Sequence, residues 1–356
     1  QVPEKFSSLA VAGVRVRVRF AGRLVDGFIV GRAESSETHA TLRPIERVIS
    51  PEVVLTPEIC ELVDSVADRY AGTFSDVVRA AVPPRHARAE SATDPVSSDQ
   101  PVTVTAEDAE NWSRYVHGTT LLSRLSEGKT ARWAWSARPA HGWAADIAAV
   151  IRTVAADPAA GVLVVVPDKR SIDHVLEQIS SDFDKSDLAV LAADVGPERR
   201  YREFLRVLRG RARIVVGTRS AVFAPVSNLK LIVVWDDSDE SMIEPHAPYW
   251  HARDVAVMRA HQGRCSLAIG SAARSIATQG LCESGWARSV TPMRSAIKSD
   301  APVIRALQPG DERLDSASAL ARIPHTAWLV AKEGLLHGPV LIQVPRRGHT
   351  PALACQ

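Results

Sequence analysis

The 356-residue sequence has only four cysteines, and these lie far apart in the chain. Without paired spacings they do not indicate a disulfide framework, and such usage is typical of reduced thiols in the cytoplasm. No uninterrupted apolar run of about 18 residues occurs, which excludes a membrane-spanning helix. The first residues, Gln1–Lys5, lack the basic and then apolar pattern of a signal segment. We therefore expect a cytoplasmic protein.

Lysine is also scarce, with seven lysines against 36 arginines. Arginine pairs well with phosphate, but a GC-rich genome produces the same bias, so this composition does not decide between the two explanations. The net charge of +2 is too small to indicate a nucleic-acid partner. Hydrophobic residues make up 46% and charged residues 24% of the chain, which is typical of globular proteins and excludes wholesale disorder.

Residues 1–50 have the pattern of β structure. Val14–Phe20 alternates apolar residues with arginine, so the two kinds of side chain face opposite ways on a strand. A turn at residues 21–23 and an apolar run at Leu24–Val30 predict a hairpin, and Thr41–Ile49 fits a third strand. Helices are predicted over residues 56–82, where Thr56 is an N-cap that proline follows at the first helical position.

The chain from Pro83 to Asp108 is rich in proline, serine, alanine and aspartate, which predicts a linker. From about Asn111, short apolar runs alternate with helical stretches, as in a doubly wound parallel sheet. The predicted strands are Leu163–Val166, Leu188–Leu191, Ile214–Val216, Leu231–Trp235 and Leu267–Ile269. A second unit begins near Leu307, with a helix at Thr326–Leu336 and a strand at Val340–Val344. Because these cannot bury a core, we expect the chain to be a fragment of a longer protein.

Four segments resemble, in the same order, blocks of one protein family. They are the hairpin from Val14, Gly217–Pro225 (GTRSAVFAP), Tyr249–Ala256 (YWHARDVA), and Pro345–Gly348 followed by Pro351–Cys355. Together they are similar to PriA, the family of primosomal replication-restart proteins.

The resemblance implies a multidomain fold, in which a small N-terminal β-barrel/α domain precedes an α/β RecA-like, helicase-type lobe. The β-rich domain, which in the family binds 3′ DNA ends, would occupy residues 1–88. Residues 89–110 would be a linker, with the family's winged-helix module reduced or absent. Residues 111–306 would form helicase lobe 1 with degenerate motifs, and residues 307–356 the start of lobe 2.

The nucleotide-binding loop of a helicase ends in Gly-Lys-Ser/Thr, where lysine neutralises phosphate and the hydroxyl holds Mg²⁺. The segment of this chain that matches the loop ends in Gly142, Trp143 and Ala144, so the lysine and the hydroxyl are both missing. Residues 128–130 spell Gly-Lys-Thr but lack the upstream glycine and the preceding strand. We interpret that tripeptide as a false match.

The acidic box that completes such a site reads Asp-Glu-Glu-His in the family and Asp-Asp-Ser-Asp at residues 236–239 here. Asp236 could still hold a metal ion, whereas Asp237 is one methylene shorter than the glutamate. We interpret Gly142, Trp143, Ala144, Asp236 and Asp237 as a vestigial nucleotide site without catalytic residues, so that ATP and Mg²⁺ are doubtful ligands. The alternative for the aspartates is a polar loop at a strand end. The pattern is similar to the actinobacterial branch of the family, in which helicase activity is not expected.

The resemblance also implies DNA contacts in the N-terminal domain and in the lobe. The candidates are Phe20, Ala21 and Arg43 for a 3′ end, Arg15, Arg17, Arg19 and Arg23 for the nearby backbone, and Arg219, Tyr249 and Trp250 in the lobe. Alternating arginines are otherwise a solvated strand face, and Tyr249 and Trp250 could instead pack on the sheet. Phosphate contacts by these arginines would make binding depend on salt.

Cys355 stands where the family's zinc-binding insertion begins, so two structural zinc ions are expected in the full-length protein and none in this fragment. The implied partners are forked or branched DNA with a 3′ end, primosome and helicase-loading proteins, and single-stranded DNA-binding protein, in the cytoplasm (nucleoid) and with no membrane. We expect a replication-restart protein that recognises branched DNA and acts as a loading platform without ATP-driven unwinding. Two alternatives stay open: an active ATP-dependent 3′–5′ DNA helicase with an altered nucleotide site, and a metabolic α/β enzyme.

Overall fold

An antiparallel sheet of three strands begins the chain. The computed structural model describes residues 1–35, 42–93, 102–139, 142–304, 306 and 323–343. The strands are β1 (Val14–Phe20), β2 (Arg23–Phe28) and β3 (Arg47–Val53), in the order β2-β1-β3. Val14 and Val16 are buried, as the alternation predicts. The predicted start of the third strand is wrong: Thr41 lies outside the described residues, and residues 42–46 form no strand. Pro44 within them has no N–H to donate to a neighbouring strand.

Three helices follow the small sheet and connect it to the rest of the chain. They are α1 (Pro57–Arg69), α2 (Phe74–Ala81) and α3 (Ala87–Glu90). The hydroxyl of Thr56 accepts a hydrogen bond from the Ile59 N–H, which confirms the predicted cap. Val63 and Val77 belong to the same buried core as residues of the large sheet described next. The N-terminal helices therefore share one core with that sheet.

The central element is a parallel sheet of seven strands in the order β10-β4-β9-β8-β5-β7-β6. Its strands are β4 (Arg132–Ser136), β5 (Gly161–Val165), β6 (Leu188–Leu191), β7 (Ile214–Gly217), β8 (Leu229–Trp235), β9 (Ser266–Ser271) and β10 (Arg288–Val290). All five apolar runs named above fall on these strands, because strands buried on both faces read as continuous apolar sequence. The predicted doubly wound sheet is confirmed.

Helices cover both faces of the sheet. They are α4 (Ala106–Ser113), α5 (Gly118–Ser126), α6 (Trp143–Ala155), α7 (Lys169–Ile179), α8 (Pro197–Leu208), α9 (Ala252–Gln262), α10 (Ile276–Glu283) and α11 (Arg294–Asp300). Along β5, Leu163 and Val165 point into the core shared with α1, α8 and α9, and Val162 and Val164 into the core formed with α5, α6 and α7. The predicted linker is partly structured, since α3 and α4 form its two ends, while residues 94–101 lie outside the described residues.

Residues 1–301 form one compact unit and residues 302–356 a second. In the second unit, α12 (His325–Gly334) is the predicted helix. The predicted strand at Val340–Val344 is wrong over residues 340–343, which form no strand, and Val344 lies outside the described residues. A strand needs a neighbour for its backbone N–H and C=O groups, and the described part of this unit offers none. Across the described ranges of both units, every helix is too short or too polar to span a membrane.

Candidate functional site

Trp143, which the sequence comparison with the helicase loop predicts at the position of the nucleotide-binding lysine, packs on another indole. Gly142 is the N-cap of α6, and Trp143 is the first residue of that helix. The half-buried Trp143 ring stacks on Trp235 at the end of β8, with centroids 4.3 Å apart and planes 9° apart. Ala144 is 7% exposed. This position therefore supplies an aromatic face instead of a cation.

The Trp143–Trp235 pair is the outer end of a longer aromatic cluster. Trp235 lies 5.2 Å from Trp135 on β4, which lies 5.8 Å from Trp112 on α4, between ring centroids. Gly270 on β9 makes room for the cluster, because a Cβ there would come within 2.1 Å of Trp135 Cε3. Offset aromatic pairs contribute beyond their buried area, so the cluster fixes the end of β8 against α6.

The acidic box follows β8 directly. Asp236 has a left-handed backbone with φ of 54°, and its Oδ1 accepts a hydrogen bond from Ser238 Oγ at 2.9 Å. The Asp237 side chain is fully buried. Its Oδ2 accepts hydrogen bonds from Arg253 Nη1 at 3.0 Å, Ser275 Oγ at 2.5 Å and Thr278 Oγ1 at 2.8 Å. Asp237 thus binds the starts of α9 and α10 to the end of β8.

One oxygen of this box has no partner. Asp237 Oδ1 is buried and makes no hydrogen bond within the described ranges. A buried carboxylate oxygen normally finds a donor, a water molecule or a cation. This atom is the feature of the acidic box that would suit a metal ion.

The hydrogen bonds of Asp237 continue to helix α1. Arg253 also pairs with Asp254 at 2.8 Å, and the Tyr70 hydroxyl donates to Asp254 Oδ2 at 2.7 Å. Burial and the Asp254 carboxylate raise the pKa of Tyr70 to about 12. Burial and the Arg253 guanidinium lower the pKa of His251, whose Nδ1 accepts from the Arg253 N–H at the start of α9. The network therefore joins the N-terminal helices to the acidic box.

A groove of about 630 Å³ lies at the carboxyl ends of β5, β6 and β7. Its cationic side chains are Arg79 of α2, Lys169, Arg200 and Arg219, and its carboxylates are Asp194 and Glu244. Ligands of open parallel sheets bind at this edge. The groove combines an excess of cations with the Thr218 and Ser220 side chains, which suits phosphate oxygens.

The guanidinium group of Arg219 in this groove mostly contacts other residues of the protein. Its Nη1 donates to the Ser241 carbonyl at 2.5 Å, its Nη2 pairs with Glu244 at 3.2 Å, and its guanidinium lies 5.9 Å from the Trp250 ring centroid. Lys169, by contrast, is 67% exposed, and its one ion pair with a described residue is the long contact to Asp173 at 3.7 Å. Lys169 is therefore the better phosphate ligand of the two.

The two neighbouring aromatic candidates have opposite environments. Trp250 is fully buried and makes an edge-to-face contact with Phe223, with centroids 5.1 Å apart. Tyr249 is 61% exposed and has a left-handed backbone with φ of 60°. Trp250 therefore packs on the sheet, the alternative considered from the sequence, while Tyr249 is open to a ligand.

The arginines of β1 mostly have partners within the N-terminal sheet. Arg17 pairs with Asp26 at 2.7 Å across the hairpin, and Arg19 pairs with Glu46 at 3.3 Å. Arg15 donates to the Pro83 carbonyl at 3.0 Å and stacks over Phe28 at 4.8 Å. Burial lowers the pKa of Arg15. Arg17 and Arg19, each more than 40% exposed, can reach a ligand only in competition with their carboxylates.

The turn of the hairpin exposes the other N-terminal candidates. Phe20 is 72% exposed, and Ala21 has φ of 49° in the turn between β1 and β2. Arg23 is exposed at the start of β2. Arg43 is also exposed, and its carbonyl accepts from the amino group of Gln1 at 3.1 Å. These positions present an aromatic ring and cations to solvent, but no contact joins Arg43 to Phe20 or Ala21.

Several residues of these sites were not predicted from the sequence. Arg253, Ser275 and Thr278 reach Asp237 from 16, 38 and 41 residues away, and no local pattern links them. Lys169 could have been found, because it follows the buried strand β5 at the ligand-binding edge. Cys355 lies outside the described residues, and the described ones include no group of three or more His, Cys, Asp or Glu that could hold a metal ion.

Comparison with known proteins identifies close relatives. Residues 1–83 match the family model of the PriA 3′DNA-binding domain (3′BD). The chain is 47% identical over 358 residues to the "Probable replication restart protein PriA" of Mycobacterium tuberculosis and of Mycobacterium bovis, which covers 99% of this chain and 54% of each relative. It is 27% identical over 314 residues to the replication restart protein PriA of Treponema pallidum, covering 82% of this chain and 44% of that protein. The chain thus spans about half the length of the curated relatives it matches.

Among solved structures, the Hef helicase domain of Pyrococcus furiosus is similar with a TM-score of 0.38 and 11% identity, over 65% of this chain and 55% of that one. The C-terminal domain of Dbp5 from S. cerevisiae gives a TM-score of 0.33 and 12% identity, over 46% of this chain and 89% of that one.

Proposed function

Since this chain belongs to the PriA family over the part of those proteins that it spans, we propose that it binds branched replication-fork DNA and acts as a loading platform for replication restart, without ATP-driven unwinding. The match of residues 1–83 to a 3′DNA-binding domain supports recognition of a fork with a 3′ end. Primosome and helicase-loading proteins and single-stranded DNA-binding protein are the proposed partners. Two structural zinc ions, with Cys355 as one ligand, belong to the proposal for the longer protein.

The surfaces that would hold DNA are the cationic groove of the lobe and the exposed hairpin turn. Lys169, Arg200 and Arg79 supply cations at the carboxyl edge of the sheet, and Tyr249 supplies an exposed ring on which a base can stack. Arg79 comes from α2, so the N-terminal domain and the lobe both contribute to this groove. Contacts of this kind read the backbone and not the sequence.

The proposed lack of ATP-driven unwinding rests on one observation, the stack of Trp143 on Trp235. An indole that occupies the lysine position brings no positive charge to a triphosphate, and Ala144 brings no hydroxyl for Mg²⁺. The three hydrogen bonds to Asp237 Oδ2 add to this, because a carboxylate held by Arg253 and two hydroxyls is poorly placed to orient a water molecule. Trp143 and Ala144 therefore lack the groups that would hold the triphosphate and its Mg²⁺ at this loop.

An active ATP-dependent 3′–5′ DNA helicase with an altered nucleotide site is the second candidate. Two features favour it: the unpartnered Oδ1 of Asp237, and the half-buried Asp236 beside it. Those two carboxylates could bind a divalent cation without the missing hydroxyl.

Two assays on the same protein preparation distinguish these proposals. In fluorescence anisotropy, we expect a fork with a 3′ end to bind more tightly than a fork whose 3′ end is blocked. Lys169→Ala should weaken binding. It should also reduce the steepness of the plot of log K against log salt concentration by about one unit. Lys230→Ala, an exposed lysine near the amino end of β8, is the matched control and should change neither. Equal binding of fork and unbranched duplex would reject the proposal, and the absence of any DNA affinity would favour a metabolic enzyme.

The second assay measures phosphate release from ATP with and without fork DNA. We expect no DNA-stimulated release from the wild type. Release that fork DNA stimulates and that Asp236→Ala abolishes would establish the helicase alternative. Release that Asp236→Ala leaves unchanged comes from a contaminant.

A further inference from the structure

A second cationic cavity lies at the opposite edge of the large sheet, at the amino ends of β4 and β10. Its volume is about 520 Å³. Its walls come from helix α5, from the chain that enters β4 and from the turn that enters edge strand β10. Nothing in the proposed function uses this cavity, because fork binding is assigned to the carboxyl-edge groove and the hairpin turn, and the vestigial nucleotide site also lies at the carboxyl edge.

The charge of the cavity has one sign. Arg124, Arg132, Arg288 and His117 line it, and no aspartate or glutamate is among its described lining residues. Several arginines of this protein pair with a nearby carboxylate, as Arg17 does with Asp26. Arg124 donates to the Thr130 carbonyl at 3.0 Å within the cavity wall. Three arginines in one lining that holds no carboxylate indicate an anionic ligand, and the guanidinium fork matches phosphate oxygens best.

Arg132 is held in position by an aromatic ring of the cavity. Its guanidinium carbon lies over the Trp286 ring, 4.6 Å from the centroid. Stacking uses the face of a guanidinium and leaves the N–H groups on its edge free to donate, so Arg132 is held in place without losing its donors. Trp133 also lines the cavity, but its Nε1 is enclosed by protein and makes no hydrogen bond within the described parts of the chain.

Helix α5 presents its first turns to the same cavity. His117, Thr120, Leu121 and Arg124 line it at the spacing i, i+3, i+4 and i+7, which is one face of a helix. His117 is the N-cap, with a left-handed backbone, φ of 65° and no side-chain hydrogen bond to the first turn. The positive end of the helix dipole therefore adds to the arginine charges.

We propose that this cavity binds the phosphate groups of a nucleotide, taken either as a free nucleotide or from the backbone of a DNA strand. Its volume suits one or two nucleotides. The Trp286 ring and Leu121 provide apolar surface beside the cations, which suits the sugar and base.

The experiment titrates the 356-residue protein by calorimetry with three probes: inorganic pyrophosphate, ADP and a 5′-phosphorylated thymidine dinucleotide. The variant is Arg132→Ala combined with Arg288→Ala, and the matched control is Arg69→Ala, an exposed arginine at the end of α1. We expect the variant to weaken binding at least tenfold and the control to leave it unchanged. Thermal unfolding checks that each variant folds, and Arg288→Glu alone is a milder test because Arg288 is exposed.

The probes separate the two sources of phosphate. Binding of ADP and pyrophosphate assigns the cavity to free nucleotides, and binding of the dinucleotide alone assigns it to DNA. A change in tryptophan emission on binding, lost in Trp286→Phe, places the ligand at this cavity. Equal affinity of wild type and double variant, or no binding of any probe, overturns the proposal. Lys169→Ala should leave this binding intact, so failure of fork recognition and failure of this site are distinguishable.

Discussion

Replacing Arg253 by alanine tests whether Asp237 holds the structure together or serves chemistry. Arg253 is the only cation that contacts Asp237 in the described parts of the chain, and the side chains of the pair are 12% and 0% exposed. Without Arg253 the carboxylate stays buried with only two hydroxyl donors. Leaving one partner of a buried ion pair uncompensated costs about 3–5 kcal/mol.

The expected change in melting temperature follows from the size of the folded unit. For domains above 150 residues, 1 kcal/mol corresponds to about 2 °C or somewhat more, so Arg253→Ala should lower Tm by about 6–10 °C. Thr278→Val keeps the volume and removes one hydrogen bond to a charged acceptor, which costs about 1.5–3 kcal/mol. Ser238→Ala is the control, because exposed Ser238 contacts only Asp236, and its Tm should stay within about 1 °C of the wild type.

A double-mutant cycle completes the test. If Arg253 and Asp237 stabilise the fold through each other, the combined loss in Arg253→Ala/Asp237→Ala should fall short of the sum of the single losses by at least about 1 kcal/mol. A catalytic carboxylate would behave differently, since its removal often leaves stability unchanged or raised. A Tm of Arg253→Ala as close to the wild type as that of Ser238→Ala would show that Arg253 and Asp237 do not stabilise the fold through each other.

Three further outcomes follow from the structure. Trp143→Ala should lower the free energy of unfolding in urea by about 1–2 kcal/mol, because it removes the stack on Trp235. An unchanged free energy of unfolding would show that the stack does not form in solution. His251 should make stability decrease as the pH is lowered below about 6.5, because its pKa is lowered in the folded state and the unfolded chain binds the proton first. Its contribution is complete above that pH and lost below it, so His251→Asn should flatten the unfolding free energy between pH 7 and 5.5, and an unchanged slope would contradict this. Asp26→Asn should tighten fork binding in anisotropy and increase its salt dependence by releasing Arg17, and weaker binding would argue against the hairpin as a DNA surface.

The strands of the large sheet could be predicted from the sequence because each is a continuous apolar run. Parallel strands covered on both faces have no polar positions, so Leu231–Trp235 is recognisable without its neighbours. The arginine alternation of β1 is equally local, since its period of two follows from strand geometry. The start of β3 was predicted too early in the sequence. The apolar residues near Pro44 look like strand residues, although residues 42–46 do not pair as a strand.

The side-chain environments of the sites could not be predicted in the same way. Tyr249 and Trp250 are adjacent in sequence and of one chemical class, yet one is exposed and the other fully buried. The burial of Trp250 depends on residues distant in sequence, among them Phe223, 27 residues earlier, whose ring it meets edge to face. The partners of Asp237 are likewise set by how α9 and α10 pack against β8, and the packing of the cores determines that arrangement.

On the proposed function, the two residues that depart from the family's nucleotide-site pattern also supply contacts within the fold, so the lobe would persist without nucleotide chemistry. Trp143, at the position expected for a lysine, packs on Trp235, and Asp237, at the position expected for a glutamate, holds α9 through Arg253. The same α9 packs against α1, where Tyr70 joins the network. On the proposed function, the lobe would need to hold the N-terminal helices and the cationic groove in fixed relation, not to close around ATP. Restoring the lysine at position 143 would then remove packing without restoring turnover, since the shorter Asp237 would still be held by Arg253.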